Sequence, residues 1–384
     1  MPDRDAPGRK GQPMTSTGSV PRTEAWQREA VSSPATTRPA QMAKIFGYLK
    51  GLHATYLLEL GVRLGLFERL GQTPAGLQAA DLAAACALDA GYTRCWCETA
   101  CALELLEYDP AGGYRLAPFM DELLARPDGT FNLAGFPTAH LMLARDYARY
   151  PELFRTGGSQ PYAEHDQPFL AAVAGATATL PRMFCDAVLP NLPGLQARLE
   201  TGAAILDVGC GAGQALVTLA ERFPEVRCVG VDIEPVSVGM ARQLIHEHAL
   251  GDRVEARLLA DGGWPADLAG AFDLVTTFLV LHEIRPEDKA AVLARCAQAL
   301  KPDGALLLFD ERYPSHPGEL RDATQIFAVM AQWYEVTWGN VLNTREEIAG
   351  LLTGAGLTTV QETALSRFYI VVAKPAGSSA TARR

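Results

Sequence analysis

The sequence has no apolar run approaching the roughly 20 residues that a helix needs to cross a bilayer, and its N-terminus has no apolar signal core. A cytoplasmic protein that neither spans nor rests in a membrane is therefore expected. Positive charge is also in short supply: 34 Lys and Arg stand against 44 Asp and Glu, a formal charge of −10, which makes a polyanion a poor main partner. Cysteine occurs without a pairing pattern. Cys86, Cys95, Cys97, Cys101, Cys185, Cys210, Cys228 and Cys296 are scattered through predicted helices and strands, and they read as reduced, small apolar residues, not as a disulfide framework. Cys95, Cys97 and Cys101 lack zinc-ribbon spacing and a second ligand pair, so no metal site is expected. Residues 1–39 hold hardly any large apolar side chains but six prolines, and such a segment cannot bury enough surface to offset its ordering entropy. They are expected to form a flexible tail, and residues 375–384 a frayed end.

What is present begins at Ala203–Val208, an apolar β-type run followed by Gly209, Gly211 and Gly213 and then by a helical pattern from Gln214 to Arg222. This is the strand, loop and helix of a nucleotide-binding α/β unit. Glycine permits positive φ and a close backbone approach to a ligand, and a helix start presents unpaired N–H groups. The spacing is G-x-G-x-G with an acid, Asp207, two residues ahead, whereas the hydride-cofactor fingerprint is G-x-G-x-x-G. Arg227–Asp232 is a second strand ending in an acid about 20 residues past the glycines, where a carboxylate can accept both hydroxyls of a ribose.

The alternation continues as a doubly wound sheet requires. Val254–Asp261 is a third strand ending in an acid before Gly262; a turn or helix-capping aspartate is the other reading of Asp261. Phe272–Leu281 is a fourth, delivering His282 and Glu283 to the same edge. Arg285–Lys289 starts the next helix, with Pro286 and acids in its first turn. Leu300–Glu311 reads as a turn and a fifth strand ending at Asp310, and Thr358–Glu362 with Phe368–Pro375 closes the sheet. Thr344 with Glu347 signals a capped helix.

Ahead of this unit, apolar residues from Met42 to Leu70 recur at helical spacing, Gln78–Ala87 and Asp89–Leu106 give further helices, and Glu107–Leu116 reads as two short strands around a turn. That is the winged-helix order. A DNA-reading third helix needs cations, and residues 90–107 offer Arg94 against Glu98, Glu104 and Glu107. Residues 119–200 read as helical with interruptions at Pro137, Pro151, Pro161 and Pro168, placed to wall a pocket between the two parts. His140 and Tyr147 there, and Phe327, Met330 and Trp333 on a later helix, are candidate substrate contacts, although aromatic residues at helical spacing also build cores.

Asp207-Val208-Gly209-Cys210-Gly211-Ala212-Gly213, Leu281-His282-Glu283 and Lys301-Pro302-Asp303-Gly304 resemble the motifs of class I S-adenosylmethionine-dependent methyltransferases. The winged-helix order before them resembles the N-terminal dimerisation domain of small-molecule O-methyltransferases of plants and bacteria. The resemblance implies an α/β fold: a Rossmann-like, doubly wound seven-stranded sheet over residues 201–374, a mostly helical winged-helix domain over 40–118, and a helical linker over 119–200. It implies S-adenosylmethionine as cofactor, with Asp207, Gly209, Gly211, Gly213, Asp232, Ile233, Asp261, Gly262 and Phe278 around it. It implies a small-molecule acceptor, a homodimer and no nucleic acid, with His282 as the base that takes a hydroxyl proton, flanked by Asp310 and Glu283. Imidazole titrates at about 6.5 and suits that task at neutral pH. A histidine here can also be structural or substrate-positioning. Ile284 departs from the family's usual Trp, and no second flanking carboxylate is identified. Nitrogen, sulfur or carbon acceptors, or a ligand-responsive winged-helix DNA-binding regulator, remain alternatives.

Overall fold

The computed structural model describes residue 26 and residues 30–33, 35–259, 263–365 and 367–377. The N-terminal part is four helices, α1 (Arg38–Arg63), α2 (Leu66–Gly71), α3 (Ala79–Ala85) and α4 (Ala90–Ala102), followed by an antiparallel hairpin of β1 (Leu106–Asp109) and β2 (Gly113–Leu116). Asp109 holds the hairpin turn by accepting from the N–H groups of Ala111 and Gly112. Phe67 meets Trp96 edge-on at 5.2 Å, and the Trp96 indole donates to the Leu57 carbonyl, so a small apolar core fixes α2 and α4 on the end of α1. Among the described residues, the other side of α1 has no such cover. Met42, Ile45, Phe46, Leu49, Leu52 and Tyr56, which fall on one helical face, are all half-exposed or more.

The linker is α5 (Gly135–Asp146), α6 (Tyr150–Thr156), α7 (Gln167–Thr177), α8 (Leu180–Met183, continuing as a π turn to Val188) and α9 (Pro193–Glu200). Three of the prolines read as interruptions are starts instead: Pro137 lies in the first turn of α5, and Pro151 and Pro168 are the second residues of α6 and α7. A first-turn N–H has no intrahelical partner, so proline's missing donor costs nothing there. Of the segment expected to be a tail, Trp26 stacks on Tyr313 and donates to the Ser315 carbonyl, and Arg321 donates to the Ser32 carbonyl; residues 1–25, 27–29 and 34, like 378–384, lie outside the described residues.

The remainder alternates strand and helix: β3 (Ala204–Val208), α10 (Gln214–Arg222), β4 (Arg227–Asp232), α11 (Pro235–Glu247), β5 (Val254–Leu258), β6 (Phe272–Phe278), α12 (Lys289–Ala299), β7 (Leu300–Glu311), α13 (Ile326–Trp338), α14 (Arg345–Gly354), β8 (Leu357–Leu365) and β9 (Phe368–Pro375). They build one seven-stranded sheet in the order β5-β4-β3-β6-β7-β9-β8, parallel from β5 to β7, with β9 antiparallel to both of its neighbours. Successive residues of the inner strands feed opposite faces, Ile205, Leu274 and Leu307 on one side and Leu206, Val275 and Leu306 on the other. Leu300 is already in the sheet opposite Phe272, and the ladder resumes only at Leu274 and Ala305, so Lys301–Gly304 is a bulge within the strand where a preceding turn was expected. The capping box of Thr344 and Glu347 forms as anticipated. Among the described residues, no helix is long and apolar enough to cross a membrane.

Two glycines in helix interiors test how packing competes with propensity. Alanine improves an exposed helical position by up to about 1 kcal/mol. At Gly350 a Cβ meets nothing within 4 Å, but at Gly61 it would lie 2.5 Å from the Phe67 ring and 2.6 Å from that of Trp96. Chemical denaturation is expected to show Gly350→Ala gaining stability and Gly61→Ala losing roughly 1–3 kcal/mol net.

Candidate active site

The C-terminal ends of the parallel strands bring together the glycine loop, Asp232 and the His282 segment, the edge at which open α/β sheets bind ligands. All three glycines have positive φ, at +70° for Gly209, +50° for Gly211 and +84° for Gly213. Their roles differ. A Cβ on Gly209 would lie 2.6 Å from the Val280 side chain, so this glycine lets the loop press against the segment leading to His282, whereas Gly211 faces open space. Asp232 braces the loop: Oδ2 accepts from the Gly211 N–H at 2.8 Å and Oδ1 from the Glu234 N–H at 2.9 Å. Burial raises its pKa against the lowering effect of those donors. Each oxygen retains a further lone pair, as recognition of a vicinal diol requires. Next to it, Ile233 is 72% exposed and Leu258 is also exposed, an apolar ledge for a flat base.

Asp207, expected at the cofactor, is only 2% exposed and accepts from the Thr276 hydroxyl at 2.6 Å, tying β3 to β6 beneath the loop. Burial pushes its carboxyl up to about 7. Phe278 meets Phe184 edge-on at 5.9 Å and Phe309 in a tilted contact at 5.5 Å, and is partly buried. Asp261 and Gly262 lie outside the described residues.

His282 is 7% exposed. Its Nδ1 lies 2.5 Å from Asp310 Oδ1 and its backbone N–H donates to Asp310 Oδ2 at 3.3 Å, while the Glu311 N–H donates to Asp310 Oδ1 at 2.7 Å. A carboxylate can only accept, so the proton of a neutral ring resides on Nδ1 and Nε2 is left as the basic nitrogen. Burial pulls the imidazole pKa down, but the charges of Asp310 and Glu335 outweigh it and hold the ring at about 10. Glu283 is half-buried and its carboxyl is pushed up to about 8, chiefly by burial; its side chain makes no hydrogen bond to His282.

The second carboxylate absent from the sequence reading is Glu335. It lies on α13, 2% exposed, with Oε1 3.8 Å from His282 Nε2 and Oε2 accepting from the Asn340 side chain at 2.9 Å. Burial pushes its carboxyl up to about 7. A signal for it existed: Ala328, Ala331, Glu335 and Trp338 form the buried stripe of α13, and an acid in an apolar stripe marks a site. The five substrate candidates, His140, Tyr147, Phe327, Met330 and Trp333, line a single crevice together with Arg367. It lies on the flank of α13 where Trp333 packs against Tyr150 and Phe154 of α6, beside the face that carries Glu335.

A methyltransferase-domain family model matches residues 205–304. The ubiquinone biosynthesis O-methyltransferase of Xanthomonas axonopodis pv. citri is 36% identical over 115 residues, 30% of this chain and 46% of that protein. The aclacinomycin 10-hydroxylase of Streptomyces purpurascens is 29% identical over 217 residues, 55% of this chain and 56% of that protein. The chain thus spans about half the length of these two relatives. Human N-acetylserotonin methyltransferase, solved in complex with S-adenosylmethionine, superposes over 90% of this chain and 100% of its own with a TM-score of 0.66 at 18% identity, a likeness of fold. The glycine cradle, Asp232 and strands β4–β6 lie within the matched residues, so the chain carries a methyltransferase domain, and its seven-stranded sheet has the class I fold of the S-adenosylmethionine-dependent methyltransferase on which it superposes.

Proposed function

We propose that this protein transfers a methyl group from S-adenosylmethionine to a hydroxyl of a small, specialised metabolite, with His282 as the general base. The observation that carries this reading is the pairing of His282 Nδ1 with Asp310 at 2.5 Å, which leaves Nε2 as the basic nitrogen at the ligand-binding edge of the sheet. The residues fit the cofactor: the cradle of Gly209, Gly211 and Gly213 suits its methionine part, Asp232 its ribose hydroxyls, and the Ile233 ledge its adenine. When bound, the cofactor supplies an electrophilic methyl carbon on a sulfonium. His282 Nε2 takes the proton of the acceptor hydroxyl, Asp310 holds the ring in the productive tautomer and stabilises the imidazolium, and Glu335, facing the same nitrogen, adds to that stabilisation. The aromatic residues His140, Tyr147, Phe327 and Trp333 along the narrow crevice beside α13 are the side chains we expect an acceptor to meet. The uncovered apolar stripe of α1 is the surface on which we expect a second copy to pack, giving a homodimer.

A second reading, a reaction of the same cofactor other than methyl transfer, has one observation in its favour: a relative 29% identical over 55% of the chain is named a hydroxylase. Transfer of labelled methyl to any acceptor separates the two.

Three outcomes are expected. Calorimetry is expected to give micromolar affinity for S-adenosylmethionine and S-adenosylhomocysteine, and Asp232→Ala to weaken both by about tenfold to a hundredfold through lost bonds to a charged acceptor; unaltered affinity would remove the ribose contact. A base held above the ordinary imidazole pKa is competent above that raised value and lost as pH falls through it, so with the ring held at about 10 kcat/KM is expected to rise through the alkaline range and to decline as pH falls below it. Asp310→Asn removes the dominant charge raising that pKa, so it is expected to move this limb to lower pH and to cut kcat; a limb that stays in place argues against His282 as base. Finally, Phe46→Asp is expected to turn a dimer into a monomer by light scattering, and a wild-type protein that is itself monomeric would reject the α1 interface.

A further inference from the structure

We infer that Lys289 is a positioning residue of the active centre: its buried ammonium holds the 340–343 segment, and Asn340 of that segment holds Glu335 near His282. This rests on the reading of His282 as the base. Arg285–Lys289 was expected to start a helix with Pro286 and acids in its first turn. Instead Arg285–Asp288 forms a turn closed by the Arg285–Asp288 ion pair, α12 starts at Lys289, and the lysine side chain points inward at 2% exposure.

A buried ammonium must spend its protons on acceptors. Nζ donates to the Val341 carbonyl at 2.5 Å and to the Asn343 side-chain oxygen at 2.6 Å. The segment so gripped is bonded in turn to everything around Glu335. Asn340 donates through its backbone to the Glu335 carbonyl and through its side chain to Glu335 Oε2, both at 2.9 Å. Gln332, one turn earlier on α13, donates to the Asn340 carbonyl and accepts from the Leu342 N–H. The Tyr313 N–H, just beyond β7, donates to the Asn343 carbonyl at 2.9 Å. Lys289 therefore links the start of α12, seven residues past His282, to the segment that fixes the Glu335 carboxylate.

The charged groups facing it are Asp310, Glu347 and Glu335, and burial nonetheless pulls its pKa down to about 8, so the ammonium is charged at neutral pH. A neutral residue could not donate to both acceptors while offsetting those acids. The groups facing His282 itself are Asp310, Glu335 and Glu283, with Glu311 and its Arg367 partner beyond them.

The positioning role and a bare charge effect have opposite signs. Lost positive charge alone would raise the His282 pKa, whereas a Glu335 carboxylate released from its place would let it fall. The experiment is a histidine NMR titration of the full chain loaded with S-adenosylhomocysteine, with the His282 resonance assigned by His282→Gln. Glu335→Gln is expected to lower the His282 pKa by about one pH unit. Lys289→Met is expected to lower it in the same direction, and the double variant to show no further fall beyond that of Glu335→Gln alone, because the lysine lowers it only through that carboxylate. A rise in Lys289→Met, no change in it, or additive shifts in the double variant would overturn the assignment. Should Lys289→Met not fold, Asn343→Ala removes one of its two acceptors and carries the same expectations. Neither the titration nor the affinity for S-adenosylhomocysteine needs turnover, so a protein that binds this ligand and shows the coupling but transfers no methyl group refutes the reaction and leaves the coupling standing.

Discussion

A hydrogen bond between two buried side chains, His282 and Asp310, is the constraint on which the rest of the structure turns. Removing both groups from water is costly unless each finds its partner at close range with further donors in place. The fold meets this by pairing β6 and β7 in parallel, so that Phe278 lies opposite Phe309 and both chains reach the same edge, one continuing to His282 and the other to Asp310. A slip of one residue would bring Phe309 or Glu311 to the place of Asp310 and turn the carboxylate to the opposite face. The apolar strands on either side of the sheet fix that register, and so the core specifies the geometry of the dyad.

The same economy of position joins the dyad to the cofactor side. Gly209 has no side chain because Val280 occupies the space, and Val280 lies two residues before His282. Asp232 holds Gly211 through one oxygen and the start of the α11 segment through the other. The glycine loop, Asp232 and His282 are thus held relative to one another by the protein itself, and on the proposed reading that is preorganisation for a reaction between two bound molecules.

How much of this the sequence revealed depended on whether a feature is local. The strands, the glycine turn, His282 and Asp310 were legible because period-two apolar runs and strand-end residues announce themselves within a few positions. The five crevice residues were found for a similar reason, since helical spacing groups Phe327, Met330 and Trp333 on one flank. Glu335 and Lys289 were missed because their roles depend on which helix face meets the sheet and on where a helix begins. The run Arg285–Lys289 suggested a helix starting at Pro286, but the helix begins only at Lys289, whose side chain is buried. Asp207 shows the converse: the motif was legible, but the carboxylate lies under the loop on Thr276 and not on its surface.

The charge inventory of the centre adds a further argument for its ligand. Glu283, Asp310, Glu311 and Glu335 outnumber the nearby cations His282, Lys289 and Arg367, and burial holds Glu283 and Glu335 well above the usual carboxylate range. Carboxyls in that condition are poised between protonated and ionised, and a positive charge nearby favours the ionised form. S-adenosylmethionine brings such a charge on its sulfonium, and its demethylated product does not. A bound sulfonium would therefore draw Glu283 and Glu335 toward ionisation in a way that the uncharged thioether of the product would not.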